Sequence, residues 1–440
     1  MPPIKVIGGG LAGCEAAWQI ASRGIPVHLY EMRPLHRSPA HRTGDLAELV
    51  CSNSLKSNRV DRAGGLLKAE LKLAGSLLIR LAEEASIPGG SSLCVDRLEY
   101  ARLVTKSIED NGNITVFRDE ITSLPSDPSE GPAIIATGPL TSDALAADIE
   151  RLLGEGALAF YDAISPTIEA GSIDWKKVFI QDRYGDQETG SYVNCPLQKE
   201  EYLTLVESLR TGGTVSPHHF EEENLFEACL PVEVLASRGD RTLAFGPMRP
   251  VGLSDPGTGR RPYAVVQLRP ENRGRTLFGM VGFQTKLRQP EQERIFRMIP
   301  GLERAVFERL GSIHRNTFIN APALLDQFQR ACSAPWLSFA GQITGVEGYV
   351  ESIAGGAMSG IYTAWEILGN TPCPPPEFTM IGALLGRLSS TPRGGFQPVN
   401  AQFGLLPPLE GQRLGKAARK EAMAERALKH MRAYLADIPS

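Results

Sequence analysis

The feature that most restricts this chain stands at its start. A short β-branched run, Ile4-Lys5-Val6-Ile7, leads directly into Gly8-Gly9-Gly10-Leu11-Ala12-Gly13, which fits the spacing G-x-G-x-x-G. The residues from Leu11 to Trp18 read as a helix, Gly24 ends it, and Pro26 to Glu31 reads as a second strand. This is a βαβ unit with a glycine-rich first turn. Gly8 allows the tight turn, Gly10 lets the backbone approach a pyrophosphate, and Gly13 lets helix and strand pack closely. The helix N-terminus offers free N–H groups and the positive end of its dipole to an anion, with Gly9, Leu11 and Ala12 completing the cradle. Glu31, at the end of the second strand, stands where a carboxylate binds a ribose hydroxyl pair. The unit therefore predicts a dinucleotide site.

Two later segments choose between dinucleotides. Ala136-Thr137-Gly138 ends a buried strand, and many flavoproteins carry such a turn beside the cofactor. Gly341-Gln342, then Gly345 and Gly348 up to a helix start at Tyr349, matches the late segment that meets the ribityl chain and flavin ring in those proteins. Their order after the first motif favours FAD. No second G-x-G-x-x-G exists, so a nicotinamide donor must dock without a Rossmann unit of its own.

The 440 residues suggest two or three domains at roughly 150 residues each. Leu67, Leu71, Ala74, Leu78, Leu81 and Ala85 recur at steps of three and four, which predicts one amphipathic helix over 63–85. Asp96 is placed to cap a helix running to Glu109. Ile114–Phe117 and Ala133–Ala136 read as strands. From about 156 the character changes to short β-like runs among Gly-, Pro- and Arg-rich loops, with a helical pattern at Gln292–Leu310. Trp336–Gly341 reads as a buried strand, followed by a helix over 349–368, and 410–436 reads as a basic helix. The expected fold is α/β: an FAD-binding Rossmann-type (GR2-like) domain over 1–155 and 326–440, with a smaller α+β domain inserted at 156–325.

Seven cysteines, an odd count, with no secretory pattern at the N-terminus, predict reduced thiols in the cytoplasm. No C-x-x-C pair or Cys/His set with zinc spacing occurs, so no metal is expected. No apolar run reaches the ~18 residues that span a bilayer. Cys51 lies in a polar loop, Cys51-Ser52-Asn53-Ser54-Leu55-Lys56-Ser57, where Lys56 could favour a thiolate. Inert burial is the competing reading, as for most cysteines. Cys229, in Glu227–Glu233, fits a half-buried strand, and on its own residues the structural reading prevails. Cys14 and Cys94 are assigned to packing. His314, in His314-Arg315-Asn316, reads either as a hydrogen-bonded structural residue or as a flat polar surface for a ligand. The net charge of -4 excludes a protein coated in basic surface. An RNA partner would need a local patch: Arg260, Arg261, Arg269, Arg273 and Arg275, or Arg413, Lys416, Arg419, Lys420, Arg426, Lys429 and Arg432 on the final helix.

The stretch Gly8–Ala17 resembles the opening of the glucose-inhibited-division-A group of flavoproteins, which modify tRNA uridines. Cys51–Ser57 and Phe396-Gln397-Pro398-Val399-Asn400-Ala401-Gln402-Phe403-Gly404-Leu405-Leu406-Pro407-Pro408 resemble signatures of its short branch, the folate- and FAD-dependent tRNA (uracil-5-)-methyltransferases. That resemblance runs over the whole chain. It implies FAD reduced by NAD(P)H, a one-carbon unit from 5,10-methylenetetrahydrofolate, and formation of 5-methyluridine at tRNA position 54. It also implies that Cys229 attacks C6 of the uracil, that Cys51 is a second essential thiol near the flavin, that Ser54 belongs to the cofactor cradle, and that His314 lies near the folate pterin. The division of labour between the two thiols stays open. Three rival readings remain: the longer, wobble-uridine-modifying branch of the same group, a nicotinamide–disulfide oxidoreductase, and an FAD-bearing RNA-binding protein without catalysis. The oxidoreductase lacks its cysteine pair here.

Overall fold

A computed structural model describes residues 2–38, 40–154, 158–183, 190–215, 230–390, 396–411 and 414–438, the side chains of 158–162, 314 and 315 excepted. The chain opens with β1 (Ile4–Ile7), α1 (Leu11–Ala21) and β2 (Val27–Tyr30). Next come β3 (Ser54–Ser57), α2 (Ala63–Leu73), α3 (Leu77–Glu84), β4 (Ser86–Ile87), β5 (Ser92–Val95), α4 (Arg97–Glu109), β6 (Ile114–Phe117), β7 (Ala133–Ile135) and α5 (Asp143–Leu153). β8 (Leu158–Ile164), β9 (Thr167–Glu169), β10 (Phe179–Ile180), β11 (Val193–Leu197), α6 (Lys199–Thr211), α7 (Val232–Ser237) and α8 (Thr242–Phe245) follow, then β12 (Ala264–Pro270), β13 (Leu277–Met280), α9 (Gln289–Phe296), β14 (Phe307–Arg309) and β15 (Ser312–Phe318). The last elements are α10 (Ala321–Leu324), β16 (Arg330–Ala331), β17 (Ala334–Phe339), α11 (Tyr349–Ile367), α12 (Met380–Gly386) and α13 (Lys416–Ala436).

One sheet has the order β16-β17-β7-β1-β2-β6. Its four pairings from β17 to β6 are parallel, with Ile7 opposite both Tyr30 and Ile135, and Ile135 opposite Phe339. Helices cover both faces, which is why β7 is apolar and buried at every position. The order turns outward in both directions from β1, so a crevice opens beyond the carboxyl ends of β1 and β7, where open α/β sheets take their ligands. A second sheet, β10-β11-β12-β13-β9-β14, is antiparallel. Its core runs from Ile168 to Ala305, while the core around the first sheet takes residues from Ile4 to Leu153 and again from Ile319 to Tyr434. The antiparallel pair of β8 and β15 lies between the two stretches, with His314 opposite Asp162.

Three expected elements differ. The single helix over 63–85 is two helices. Gly75 takes a left-handed conformation at φ +73° and Ser76 Oγ accepts from Ile79 N at 3.3 Å, capping a new helix. The apolar stripe continues across the break because both helices face the same core, which periodicity alone does not distinguish from one rod. The helix expected over 292–310 ends at Phe296. Pro300 cannot carry it on, Gly301 turns at φ +88°, and Phe307–Arg309 is a strand. Val232 and Glu233, expected in a strand, start α7, whose first turn closes from Leu235 N to Pro231 O at 3.0 Å. The basic helix starts at Lys416, and the helices from Asp96 and Tyr349 stand where they were read.

Candidate active site

The glycine turn is built as its spacing requires. Gly8 has φ +106°, and a Cβ there would lie 2.6 Å from Ala136 O. A Cβ on Gly13 would lie 1.8 Å from Gly8 O, so only glycine lets α1 sit this close to β1. Gly10 faces open space, with nothing within 4 Å of a Cβ. It is the N-cap of α1 and supplies no side-chain cap, so the first-turn N–H groups are left to a ligand. The cleft in front of them is lined by Gly8, Gly10, Leu11, Ala12, Glu31, Arg33, Gly138, Gln342 and Tyr349. The space in front of these residues, open solvent included, is about 990 Å³.

Glu31 is more heavily engaged than its sequence position suggested. Its Oε2 accepts from Gly9 N at 2.9 Å and Arg33 Nη2 at 3.0 Å, and its Oε1 from Arg33 N at 2.9 Å and Arg33 Nε at 2.8 Å. Burial alone would raise this carboxyl, but the Arg33 bonds and charge outweigh it and hold the group below its ordinary value. All four lone-pair sites of the carboxylate are used. A ribose hydroxyl would have to share with Arg33.

A second cavity continues from the cleft, sharing Val50, Pro139, Leu140, Gln342 and Tyr349 with it. Cys51, Ser52, Ser54, Lys56, Gly348, Asn316 and Asn400 line it. The Tyr349 hydroxyl accepts from Cys51 N at 2.9 Å and from Ser52 N at 3.0 Å. Those bonds fill its acceptor capacity, and among the described residues no group takes its O–H. Burial, then the nearby Cys51, raises the phenol well above its ordinary value, so it stays protonated. The Cys51 loop is also held by Arg97, whose Nη1 and Nη2 donate to Leu49 O at 3.2 Å and Cys51 O at 3.4 Å, and by Arg309 Nη1 on Val50 O at 2.9 Å. Asn53, fully buried, bridges Val95 O and Pro270 O, both at 2.9 Å.

Lys56 is not the cation that serves Cys51. Its Nζ pairs with the buried Glu351 at 2.5 Å, which also accepts from Ala401 N at 3.0 Å. Sequence proximity suggested Lys56; the cations at the loop, Arg97 and Arg309, come from distant positions. β3 is anchored from below by Lys68, whose Nζ donates to Leu55 O, Lys56 O and Ser57 O at 2.5, 3.0 and 2.8 Å. Burial lowers this ammonium to about 8. The late segment meets the second signature through Glu347 N to Val399 O and Val399 N to Gly345 O, both 2.8 Å. Gly341 leads the turn that carries Gln342, and Gly348 caps α11.

Cys229 lies outside the described residues. Val232, three places on in sequence, donates its amide to Gln284 O at 2.7 Å, and Gln284 lines the cavity of Cys51. His314 is placed by its backbone in β15, two residues before Asn316; its side chain lies outside the described residues. Cys14, Cys94 and Cys195 are buried, and burial raises all three thiols. Sequence reasoning missed Arg97, Lys68, Arg309, Glu271 and Glu351. Arg97 follows the capping Asp96 and carried no other local signal.

Residues 3–371 match the family model described as glucose inhibited division protein A. The chain is 53% identical over 430 residues to a methylenetetrahydrofolate--tRNA-(uracil-5-)-methyltransferase TrmFO of Syntrophotalea carbinolica, covering 98% of this chain and 93% of that one. It is 52% identical to the TrmFO of Geobacter sulfurreducens, with 99% of both chains covered. The fold is similar to that of Aquifex aeolicus GidA, with a TM-score of 0.71 at 16% identity, over 98% of this chain and 73% of that one. The three signatures, the glycine-turn crevice and these full-length relatives agree: the chain belongs to the glucose inhibited division protein A family, in its TrmFO branch.

Proposed function

We propose that this chain methylates a tRNA uracil at C5, forming 5-methyluridine at position 54, with FAD, NAD(P)H and 5,10-methylenetetrahydrofolate. The observation that carries the proposal is a half-buried thiol, Cys51, in a cavity continuous with a dinucleotide cleft, on a chain about half identical to named TrmFO enzymes along its length. The fit to FAD rests on the uncapped N-terminus of α1, the empty space before Gly10 and the run of the cleft from the glycine turn to Gln342 and Tyr349. Gly8, Gly9, Gly10, Leu11, Ala12 and Gly13 would hold the pyrophosphate, Glu31 with Arg33 the ribose end, and Ser54, Gly138, Gly341, Gln342, Gly348 and Tyr349 the far end. When bound and reduced by NAD(P)H, FAD supplies the two electrons that turn a methylene into a methyl.

The chain's own residues do the remainder. C5 of uracil is a weak nucleophile. Addition of the Cys229 thiolate to C6 places an enolate across C5, which can then bond to the one-carbon unit. Cys51 takes the proton from C5 as the methylene's bond to its folate nitrogen breaks, and once that carbon has gained two electrons and a proton the Cys229 thiolate leaves C6 and the C5–C6 double bond is restored. Tyr349 orients the Cys51 backbone and turns its O–H toward the shared cavity. His314 is assigned to the pterin. The target base has to leave its loop to reach the cavity.

The division into 1–155 with 326–440 and 156–325 is proposed as two working units, the second presenting the RNA. Among the described residues no helix is long and apolar enough to cross a membrane, and we place the enzyme in the cytoplasm with its tRNA. The deciding experiment incubates the protein with unmodified tRNA, reduced nicotinamide and labelled methylenetetrahydrofolate. Label at uracil C5 is expected. Transfer from S-adenosylmethionine alone would defeat the proposal.

A further inference from the structure

Behind the Cys51 loop lies a third, polar pocket, walled by Ser52, Arg97, Arg269, Glu271 and Gln284 together with Cys51 itself. It opens toward the middle cavity through Cys51, Ser52 and Gln284 and shares no lining residue with the glycine cleft. Two guanidinium groups reach it from different elements, Arg97 at the start of α4 and Arg269 on β12.

The charges do not balance. Arg97 Nε is paired with Glu271 Oε2 at 2.5 Å, and both side chains are largely buried. Among the described residues Arg269 has no carboxylate partner, and the Tyr192 phenol lies beside it. Arg269 Nη2 donates to Ser52 Oγ at 2.8 Å, while its buried Nε meets no acceptor. Arg309, on the other side of the loop, spends Nη1 on Val50 O and leaves a second buried Nε unpartnered. Burial and then the charge of Arg97 pull Arg309 down to about 10. Among the described residues, two guanidinium groups thus line the pocket against one carboxylate, Glu271, with Arg309 a third at the same loop. Buried cations and buried N–H donors without partners are costly unless an anion completes them, and a guanidinium fork matches a phosphate.

Taking the methyltransferase reading as its basis, we propose that this pocket is a phosphate subsite: Arg269 holds one phosphodiester flanking the target uridine and so sets the base over Cys51. The position favours RNA over a nucleotide cofactor, because the pocket joins the thiol's cavity and not the cleft where cofactor phosphates would lie.

The test uses T-arm RNA hairpins with an unmodified target uridine, carrying either native linkages or one neutral methylphosphonate on its 5′ or 3′ side. Affinity is measured against the FAD-loaded full chain, wild type and Arg269→Gln, over a salt series. At one flank the neutral linkage is expected to weaken wild type about tenfold, the size of one charged contact. Arg269→Gln should weaken the native hairpin to a similar degree, and the two together should cost no more than either alone. The slope of log affinity against log salt should fall by about 0.7 in the variant, and Arg269→Lys should restore it. Flavin absorbance and the rate of flavin reduction by NADPH should match wild type in both variants, which also shows that they fold. Penalties that multiply at both flanks, or an unchanged salt slope, would overturn the subsite. So would a defect confined to NADPH-driven reduction, which would give the pocket to the nicotinamide cofactor. Wild-type protein that neither binds these hairpins nor methylates them would remove the methyltransferase reading itself, and the subsite with it.

Discussion

Replacing Tyr349 by Phe removes one oxygen and tests how the Cys51 loop is held. That oxygen accepts from two consecutive amides, at 2.9 and 3.0 Å. The benzyl ring fits the same space, so the change leaves two N–H donors without their acceptor and otherwise keeps the packing. Leaving a buried donor unsatisfied costs about 1–3 kcal/mol. Half-burial of the loop lets water recover part of this, so about 2–3 kcal/mol in total is a reasonable figure for both donors. At 1.4 kcal/mol per factor of ten, the amides of Cys51 and Ser52 should lose roughly 30- to 140-fold in hydrogen-exchange protection. Amides in β1 and β7, which lie in the neighbouring sheet, should be unchanged. Alkylation of Cys51 by iodoacetamide should change in rate together with the exchange, because the thiol shares the freed backbone. Exchange at Cys51 and Ser52 within threefold of wild type would refute the claim that this phenol fixes the loop.

Other outcomes follow from the same geometry. Cys229→Ala is expected to abolish methyl transfer while FAD content and tRNA affinity persist; retained transfer would refute the nucleophile assignment. Lys68→Met takes the donor from three carbonyls at the base of β3 and should lower the free energy of unfolding by about 1–3 kcal/mol, read from urea midpoints; an unchanged midpoint would refute the anchor. Glu70 accepts from Met380 N and Ile381 N, and burial raises it to about 7. A carboxyl that binds its proton more tightly when folded makes the chain less stable as pH rises from about 4.5 to about 7. The stability of wild type relative to Glu70→Gln should therefore decline across that window, and a constant difference would count against it.

What could be read from the sequence was local. The glycine turn, its helix and Glu31 lie within one βαβ unit; Gly8 and Gly13 are closely packed and Gly10 faces open space, as their spacing implied. The polar loop at Cys51 declared itself by composition. Its supports did not, because they are remote: Tyr349 lies 298 residues from Cys51 and Arg269 lies 217 from Ser52. One arginine among several in a loop-rich stretch carries no mark of the hydroxyl it will serve. Lys56 misled for the converse reason, being near in sequence while its ammonium turns to Glu351. The break at Gly75 was hidden because periodicity reports which face is apolar and is insensitive to a cap that redirects the axis.

The loop that bears Cys51 is fastened on two sides. Asn53 stitches it to Val95 and to Pro270 at the end of β12, Arg269 reaches in from the antiparallel sheet, and Tyr349 steadies it from the helix beside the crevice. Such a hinge pin cannot stay still if the bodies it joins shift. The sulfur is thus a gauge of their alignment. A label on Cys51 should register a nucleotide arriving in the crevice, though that visitor need not touch the label.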